Sequence, residues 1–233
     1  KARHVPIITY EEMLELAANG AKVLHLRCVE YARRSGTPLR VRSSFTDSPG
    51  TLVTTAEELE GAAVEAPIIS GVAHDLGEAK ITIAGVRDEP GRAALVFEIL
   101  ATADINIDMI VQNVSAAGIT DITFTLPMSD GDKAMAVLRG NKNEIGYETV
   151  TYDDQVAKVS LVGAAMRSHP GVSATTFRAL ADAGINVEMI STSEIRISVV
   201  VRAEDVTRAV QAIHTAFGLD ADGEAVVYAG TGR

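Results

Sequence analysis

The chain has 233 residues, of which 47% are hydrophobic and 22% charged, and its formal net charge is −10. This is the composition of a soluble globular protein with one or two domains. The negative charge, the 4% aromatic content and the lack of Trp argue against nucleic-acid binding, which needs a basic surface and stacking aromatics. No apolar run reaches the ~18–20 residues that span a bilayer, so no membrane partner is expected.

The cysteine content and the absence of several short motifs limit the possible classes of function further. Cys28 is the one cysteine, so no intrachain disulfide forms, and the start lacks an apolar leader; both favour a cytoplasmic protein. A lone Cys in a helical pattern is expected in the buried core rather than in catalysis. Phosphate-loop, dinucleotide, zinc-ligand and serine-nucleophile motifs do not occur, so we expect neither catalytic residues nor a metal site in this chain.

The first 65 residues predict a small α/β segment. Thr9 and Glu12 form a capping-box pattern that opens a helix, and Gly36 is placed to end a second one. Two helices and one strand bury little core, so this segment is expected to belong to a larger unit. The predicted elements are a helix from Thr9 to about Gly20, a helix from about Lys22 to Arg34, a strand Leu39–Phe45, a turn at 47–50 and a connector over 54–66.

The rest of the chain contains one pattern twice. Pro90-Gly91 matches Pro170-Gly171, and Asn106 matches Asn186, both pairs at a spacing of 80 residues. Such regular duplication predicts two copies of one small domain. Each copy has the periodicities of β-α-β-β-α-β, a ferredoxin-like α+β unit. The predicted strands are Lys80–Val86, Ile107–Val114, Ile122–Leu126 and Tyr147–Tyr152, then Lys158–Val162, Val187–Ser193, Ile195–Val201 and Ala225–Tyr228.

One further apolar run, Ile68–Ala73, predicts a strand that the first copy does not need. In one arrangement this strand pairs with the second copy, whose domain then consists of two separate segments of the chain. The helices of the two copies are predicted from apolar residues at helical spacing. They contain Ala93–Leu100, Ala134–Leu138, Phe177–Ala183 and Val206–Ile213.

The repeated Pro-Gly pairs mark candidate ligand sites. Pro suits the first turn of a helix, Gly admits a ligand close to the backbone, and the helix start offers N–H groups and a positive dipole to an anion. An ordinary strand-to-helix turn has the same residues, so both interpretations stay open.

The repeated Asn is followed two residues later by an acid, Asp108 or Glu188. Asn can donate and accept, and an acid can accept from an ammonium group, which together suit a free amino acid. Alternatively, Asn caps a turn and the acid lies at the rim.

The copies differ where a side chain would be selected. The first has Asp88-Glu89 before its Pro-Gly pair, and the second has Ser168-His169. Two sites built this way would not prefer the same ligand. His169 is either a pH-sensitive contact or a surface residue of the turn.

Three long stretches resemble the aspartokinase family. Val162–Val172 and Glu188–Val199 are similar to its second-repeat signatures, and Asn106–Ser115 is similar to the first-repeat counterpart. Ile8–Leu14 and Gly20–His25 resemble the end of its kinase domain, and Val227–Arg233 is similar to actinobacterial members. The resemblance covers almost the whole chain in collinear order.

The resemblance implies that the repeats are ACT domains, which sense amino acids. The holoenzyme would use ATP with Mg to phosphorylate aspartate to 4-phospho-aspartate, and threonine and lysine would inhibit it. The implied division is a kinase-domain remnant with linker at 1–65, a first ACT domain at 79–153, and a second at 67–78 and 154–229. A homodimer through the ACT domains is expected.

The resemblance also implies site residues. The threonine-type site would use Asp88, Gly91, Ala93, Asn106, Ile107, Gln112, Asn186 and Val187. The lysine-type site would use Asp108, as the ammonium partner, with Gly171, Val172, Ser173, Thr192, Ser193 and Glu194. Lys1 would be a leftover nucleotide contact, since most kinase contacts lie upstream in the family.

Three interpretations follow. The first is the regulatory part of a truncated or cleaved aspartokinase, inactive alone. The second is a free-standing ACT regulatory subunit that associates with a catalytic kinase chain. The third, nucleic-acid binding by a ferredoxin-like fold, is disfavoured by the charge.

Overall fold

The computed structural model describes residues 3–61, 69–114, 118–164, 166, 169 and 171–220. The strands are β1 (Ile7–Thr9), β2 (Leu39–Val41), β3 (Thr51–Thr54), β4 (Gly71–Asp75), β5 (Glu78–Arg87), β6 (Ile110–Val114), β7 (Ile119–Pro127), β8 (Thr149–Asp153), β9 (Val156–Val162), β10 (Met189–Thr192) and β11 (Arg196–Arg202). The helices are α1 (Tyr10–Ala18), α2 (Leu26–Ser35), α3 (Ala56–Gly61), α4 (Arg92–Thr102), α5 (Gly131–Gly140), α6 (Lys142–Ile145), α7 (Val172–Asp182) and α8 (Val206–Ala216).

The N-terminal unit is a three-stranded sheet, in the order β1-β3-β2, with α1 and α2 packed beside it. The predicted capping box of α1 is present: the Glu12 N–H donates to Thr9 Oγ1 at 3.2 Å, and the Thr9 N–H donates to Glu12 Oε2 at 3.1 Å. These bonds satisfy two of the backbone donors that a helix start leaves unpaired. The small core of this unit contains Ile8, Tyr10, Met13, Val29, Ala32 and Val53.

Several sequence expectations for this unit are wrong. Helix α2 begins at Leu26 instead of Lys22, because the His25 side chain caps it by accepting from the Arg27 N–H. The strand predicted to reach Phe45 ends at Val41. Cys28 is exposed, since Val29 is on the side of α2 that faces the core. Strands β1 and β3 were not predicted, because three or four residues are too short to show alternation.

Each repeat forms a four-stranded antiparallel sheet. The first sheet has the order β6-β7-β5-β8 and the second has β10-β11-β9-β4. Apolar side chains on one face of each sheet pack against its helices. The α+β class with tandem ferredoxin-like units is therefore confirmed.

The second sheet contains a strand from before the first repeat. Strand β4 pairs with β9 in the position that β8 takes beside β5, with Gly71 opposite Val162 and Asp75 opposite Lys158. Ile68 and the strand predicted at Ala225–Tyr228 lie outside the described residues.

The strands that follow the two Asn residues begin later than predicted. Strand β6 begins at Ile110 and β10 at Met189. In both repeats the preceding residues close the helix end first, since the Ile105 N–H donates to Leu100 O and the Ile185 N–H to Leu180 O. None of the helices in the described part of the chain is long and apolar enough to cross a membrane.

Candidate binding sites

A cavity of about 520 Å³ lies at the end of β9, between the start of α7 and the β10–β11 hairpin. Its volume is within the range of small-molecule sites. Six of the seven lysine-type residues line it. The lining residues are Met166, His169, Gly171, Val172, Ser173, Thr192, Ser193, Glu194 and Ile197.

The helix start forms the anionic-ligand side of this cavity. Gly171 is the N-cap of α7 and has φ = +108°, which L side chains rarely adopt. Among the described residues no side chain caps this helix, so the first-turn N–H groups and the positive end of the dipole are directed toward the cavity rim. A carboxylate is the ligand group that such a helix start favours.

The remaining lining residues favour a ligand that has both a cationic group and an apolar part. Glu194 brings a carboxylate, and Thr192 and Ser193 bring hydroxyls from the hairpin. Met166 and Ile197 are buried, with 7% and 5% exposure, and give the cavity an apolar side. A small molecule with a carboxylate, a methylene chain and an ammonium group matches this combination.

Sequence reasoning missed Met166 and Ile197 and left His169 undecided. Ile197 was assigned only to the apolar face of its strand. The alternation that predicts β11 does not reveal that one end of this face reaches a cavity. His169 lines the cavity.

Asp108, the seventh residue of the lysine-type set, lies elsewhere. It precedes β6, and its carboxylate accepts from Lys158 Nζ near the start of β9. The cavity is at the opposite end of β9. At about 3.3 Å per residue, the five residues from Lys158 to Gly163 correspond to roughly 16 Å.

The threonine-type residues divide into two groups within one chain. Gly91 caps α4 with φ = +94°, as Gly171 caps α7, and Asp88 immediately follows β5. Gln112 is exposed on β6, whereas Asn106 and Ile107 precede that strand.

Strand direction separates these groups. Strands β5 and β6 both run antiparallel to β7 and hence parallel to each other, with Lys80 and Met109 near the same level of Thr125. Asn106 is therefore at the start of the sheet, whereas Asp88 is at the far end of β5, roughly 20–25 Å away by strand rise.

Asn186 and Val187 lie near the start of the first sheet as well. They are followed by Glu188, whose carboxylate accepts from Lys80 Nζ at the beginning of β5. One chain thus places Asp88, Gly91 and Ala93 toward one end of the first sheet, with Gln112 midway along it, opposite Ile122. The residues Asn106, Ile107, Asn186 and Val187 lie toward the other.

The two repeats contact each other through a reciprocal pair of ion pairs. Lys80 of the first repeat binds Glu188 of the second, and Lys158 of the second binds Asp108 of the first. Between them lies a small apolar cluster of Met109, Val156, Met189 and Val200.

Lys158 is the most buried member of this network, with 4% side-chain exposure, and it also donates to Glu78 at 3.1 Å. Burial works to lower the pKa of this ammonium group, but the Asp108 hydrogen bond and the Glu78 charge outweigh it and raise the pKa above its ordinary value. Lys158 is therefore a cation held by two acids at the contact between the repeats.

Metal ligation finds no support among the residues that the structure describes, which contain no cluster of three or more His, Cys, Asp or Glu side chains suited to a metal ion. Lys1, the nucleotide contact implied by the resemblance, lies outside those residues.

Comparison with known proteins matches both repeats of the fold. The family model described as ACT domain matches residues 81–141 and 159–217, one match in each repeat. An aspartokinase from Mycolicibacterium smegmatis is 57% identical over 100% of this chain and 55% of its own length. The chain thus spans about half the length of the curated relatives that it matches.

Two solved structures extend the comparison. The regulatory subunit of aspartate kinase from Thermus thermophilus, in its ligand-free form, is 42% identical with a TM-score of 0.62; the match covers 64% of this chain and 99% of that one. E. coli aspartokinase III in complex with lysine and aspartate is 25% identical with a TM-score of 0.69, over 92% of this chain and 46% of that one. With two ACT repeats and this extent of likeness, the chain belongs to the aspartokinase family and contains its regulatory region.

Proposed function

We propose that this chain senses free amino acids for an aspartokinase and that its cavity beside α7 binds L-lysine. The observation that carries the proposal is the convergence of Gly171, Ser173, Ser193 and Glu194, chosen from separate stretches of sequence, on one cavity of about 520 Å³. The helix start suits the lysine carboxylate and Glu194 suits an ammonium group. The lysine complex of the E. coli enzyme supports the same ligand.

The proposal extends to the whole protein. That protein would phosphorylate L-aspartate with ATP and Mg, giving 4-phospho-L-aspartate, and lysine and threonine would inhibit it as products of aspartate-derived biosynthesis. The catalytic residues would lie in the kinase region, and this chain alone would be inactive. We propose the domain division 1–65, 79–153, and 67–78 with 154–229, in a cytoplasmic protein.

Threonine would bind at the first repeat, and this requires a second copy of the chain. Asp88, Gly91, Ala93 and Gln112 would form one half of the site, and Asn186 and Val187 of a second copy would complete it. The separation of these groups within one chain supports a homodimer through the ACT domains. Asn106 and Ile107 would belong to the edge that meets the second copy.

Calorimetry with L-lysine tests the central claim. Lysine should bind the intact chain, and Glu194→Gln should weaken binding by about tenfold, because a charge-assisted hydrogen bond contributes ~1.5–3 kcal/mol. The matched control is Glu204→Gln, an exposed acid in the turn before α8, which should leave the affinity unchanged. Absence of heat with both lysine and threonine would contradict the proposed function.

The second candidate is a free-standing regulatory subunit without catalysis of its own. It is favoured by one observation, the 99% coverage of a separate regulatory subunit in Thermus thermophilus. Co-purification of a catalytic kinase chain with this chain would support it. A single polypeptide that contains both regions would contradict it.

A further inference from the structure

The cavity beside α7 is formed by two segments that join at their base. One is the segment after β9, which contributes Met166 and His169, and the other is the β10–β11 hairpin, which contributes Thr192–Glu194. The Gly163 N–H donates to Ile195 O at 3.0 Å and links them where they leave the sheet. A ligand between these segments contacts both, so its binding affects the distance between them.

Helix α1 of the N-terminal unit contacts the first segment through Glu12. This carboxylate is 4% exposed. Its Oε1 accepts from the Ala164 N–H at 3.0 Å and from the Ser70 hydroxyl, while its Oε2 holds the capping box at Thr9. One buried side chain thus joins the start of α1 to the loop that leads into the cavity.

The same helix contacts the second segment one turn later. Glu15 Oε2 accepts from Arg196 Nη1 at 3.1 Å, and Arg196 is two residues beyond the cavity residue Glu194. Both side chains are mostly buried, with 26% and 20% exposure. Arg196 Nε is buried and has no acceptor in the described part of the chain, so the guanidinium is held there through its Nη1 ion pair with Glu15.

Helix α1 ends against the sheet itself. Asn19, its C-cap, is 1% exposed and accepts from the Ser160 hydroxyl of β9 at 3.0 Å. The end of the helix is therefore fixed while Glu12 and Glu15 reach one cavity segment each. Residues i and i+3 lie on the same helix face, which explains how one short helix contacts both.

We propose that α1 transmits occupancy of the cavity to the N-terminal unit, with Glu12 and Glu15 as the two positioning residues. This inference rests on the proposed function and deepens it. It names the contacts through which binding of an amino acid would affect the part of the chain that resembles the end of a kinase domain. A ligand that draws the two segments together shifts Ala164 and Arg196 relative to each other. Helix α1 is bonded to both and must change its order or position with them.

Hydrogen exchange of the α1 amides, with and without L-lysine, tests this path in the intact chain. Lysine should slow exchange in α1 by at least about fivefold, the lower range of coupling between distant sites. Glu15→Ala should bind lysine within about twofold of the unaltered chain, as expected for an independent site, yet lose most of this slowing. Alanine keeps the helix, since it has the highest helix propensity.

Glu11→Ala is the matched control. Glu11 lies on the same helix, but it pairs with Arg33 of α2 at 2.9 Å, within the N-terminal unit. This variant should keep the full slowing. Ser70→Ala removes one Glu12 contact without altering the helix and should reduce the slowing in part.

The outcomes separate the two proposals. Lysine binding with no change in α1 exchange, or full slowing in Glu15→Ala, would overturn the transmission path and leave the binding proposal intact. Absence of lysine binding would overturn both.

Discussion

Ser193 lines the proposed lysine cavity from the tip of the β10–β11 hairpin. Its backbone N–H donates to Arg196 O at 2.8 Å, and its side chain is exposed to the cavity opening. The position therefore combines a fixed backbone with space in front of the side chain.

We expect Ser193→Phe to weaken lysine binding by at least about tenfold, because the ring occupies the space that the ligand needs. Folding stability should change by no more than about 0.5 kcal/mol, as for most exposed positions. Lysine titration calorimetry and urea unfolding measure the two effects, and the same substitution in the complete enzyme should relax inhibition by lysine. Ser193→Ala is the control for loss of the hydroxyl alone and should weaken lysine binding much less than Ser193→Phe. An unchanged lysine affinity in Ser193→Phe would show that Ser193 is outside the site.

Lys158 decides the stability of the contact between the repeats. Its ammonium group is nearly fully buried against Glu78 and Asp108, and Glu78 Oε2 already lacks a hydrogen-bond partner within the described chain. Without the cation, the carboxylates of Glu78 and Asp108 face each other in a contact that is partly shielded from water.

Lys158→Met should therefore lower the free energy of unfolding by about 3 kcal/mol, the range for breaking one side of a buried ion pair. Lys80→Met is the matched control: Lys80 has 20% side-chain exposure, and its loss should cost clearly less. Urea unfolding of both variants measures the difference. Equal losses would indicate that burial of Lys158 contributes nothing.

The ion pair between Asp153 of β8 and Arg202 of β11 makes the folding stability depend on pH. Partial burial works to raise the pKa of the Asp153 carboxyl, but the hydrogen bonds from Arg202 and the Gln155 N–H outweigh it and hold the pKa below its ordinary value. A group with a lowered pKa in the folded state stabilises the protein above its unfolded pKa, and this stabilisation disappears as the pH falls through the folded value.

Acid should therefore weaken the contact between β8 and β11. Asp153→Asn should lose less than about 1 kcal/mol at neutral pH, as for a half-exposed pair, and should show a shallower loss of stability on acidification. Thermal unfolding from pH 7 to 3 measures it, with Asp154→Asn as the control at an adjacent acid. Parallel pH profiles for Asp153→Asn and the original chain would contradict the assignment.

Sequence patterns predicted the repeats well because their elements are long and periodic. The alternation of Ile122, Phe124 and Leu126 is matched by burial of all three. The Pro-Gly pairs marked where the helices begin, but Gly91 and Gly171 are the N-caps, so Pro90 precedes the helix instead of forming its first turn. The two Asn residues precede their strands as predicted, and the six cavity residues followed from the family resemblance.

Contacts distant in sequence could not be predicted. Lys158 lies 50 residues from Asp108, and no local pattern indicates that a lysine inside an apolar strand is balanced by acids of the other repeat. The link from Glu12 to Ala164 spans 152 residues. Glu12 was identified by its capping role alone, which uses only one of its two oxygens.

At the scale of the whole molecule, the reciprocal ion pairs give the repeats a pseudo-twofold relation. Met109 and Met189, 80 residues apart, meet in the shared cluster, and each repeat supplies one lysine and one acid. One edge of the first sheet is strand β6, and the corresponding edge of the second sheet is strand β10. Exposed Ile110 (51%) and Ile190 (47%) occupy equivalent positions on these strands, and apolar edge strands readily pair with another chain.

We predict that threonine binding depends on dimerisation, whereas lysine binding does not. The first-repeat residue Asp88 lies far from Asn186 in one chain, so in the proposed threonine site a second copy supplies Asn186; the described lining of the lysine cavity comes from one chain. Ile110→Lys should weaken self-association at least tenfold, because a charge would be buried at the edge, and should weaken threonine binding in parallel with little effect on lysine. Sedimentation and calorimetry at several protein concentrations measure both.

The control for this prediction is Leu76→Lys, a substitution of equal chemistry at a residue with 51% exposure in the turn between β4 and β5. It should leave self-association and both affinities unchanged. Threonine affinity that stays constant while dilution dissociates the proposed dimer would contradict the shared site, because a monomer lacks Asn186 and Val187 of the second copy. Asp88→Ala should abolish threonine binding without dissociating the dimer, which separates loss of the ligand contact from loss of the partner.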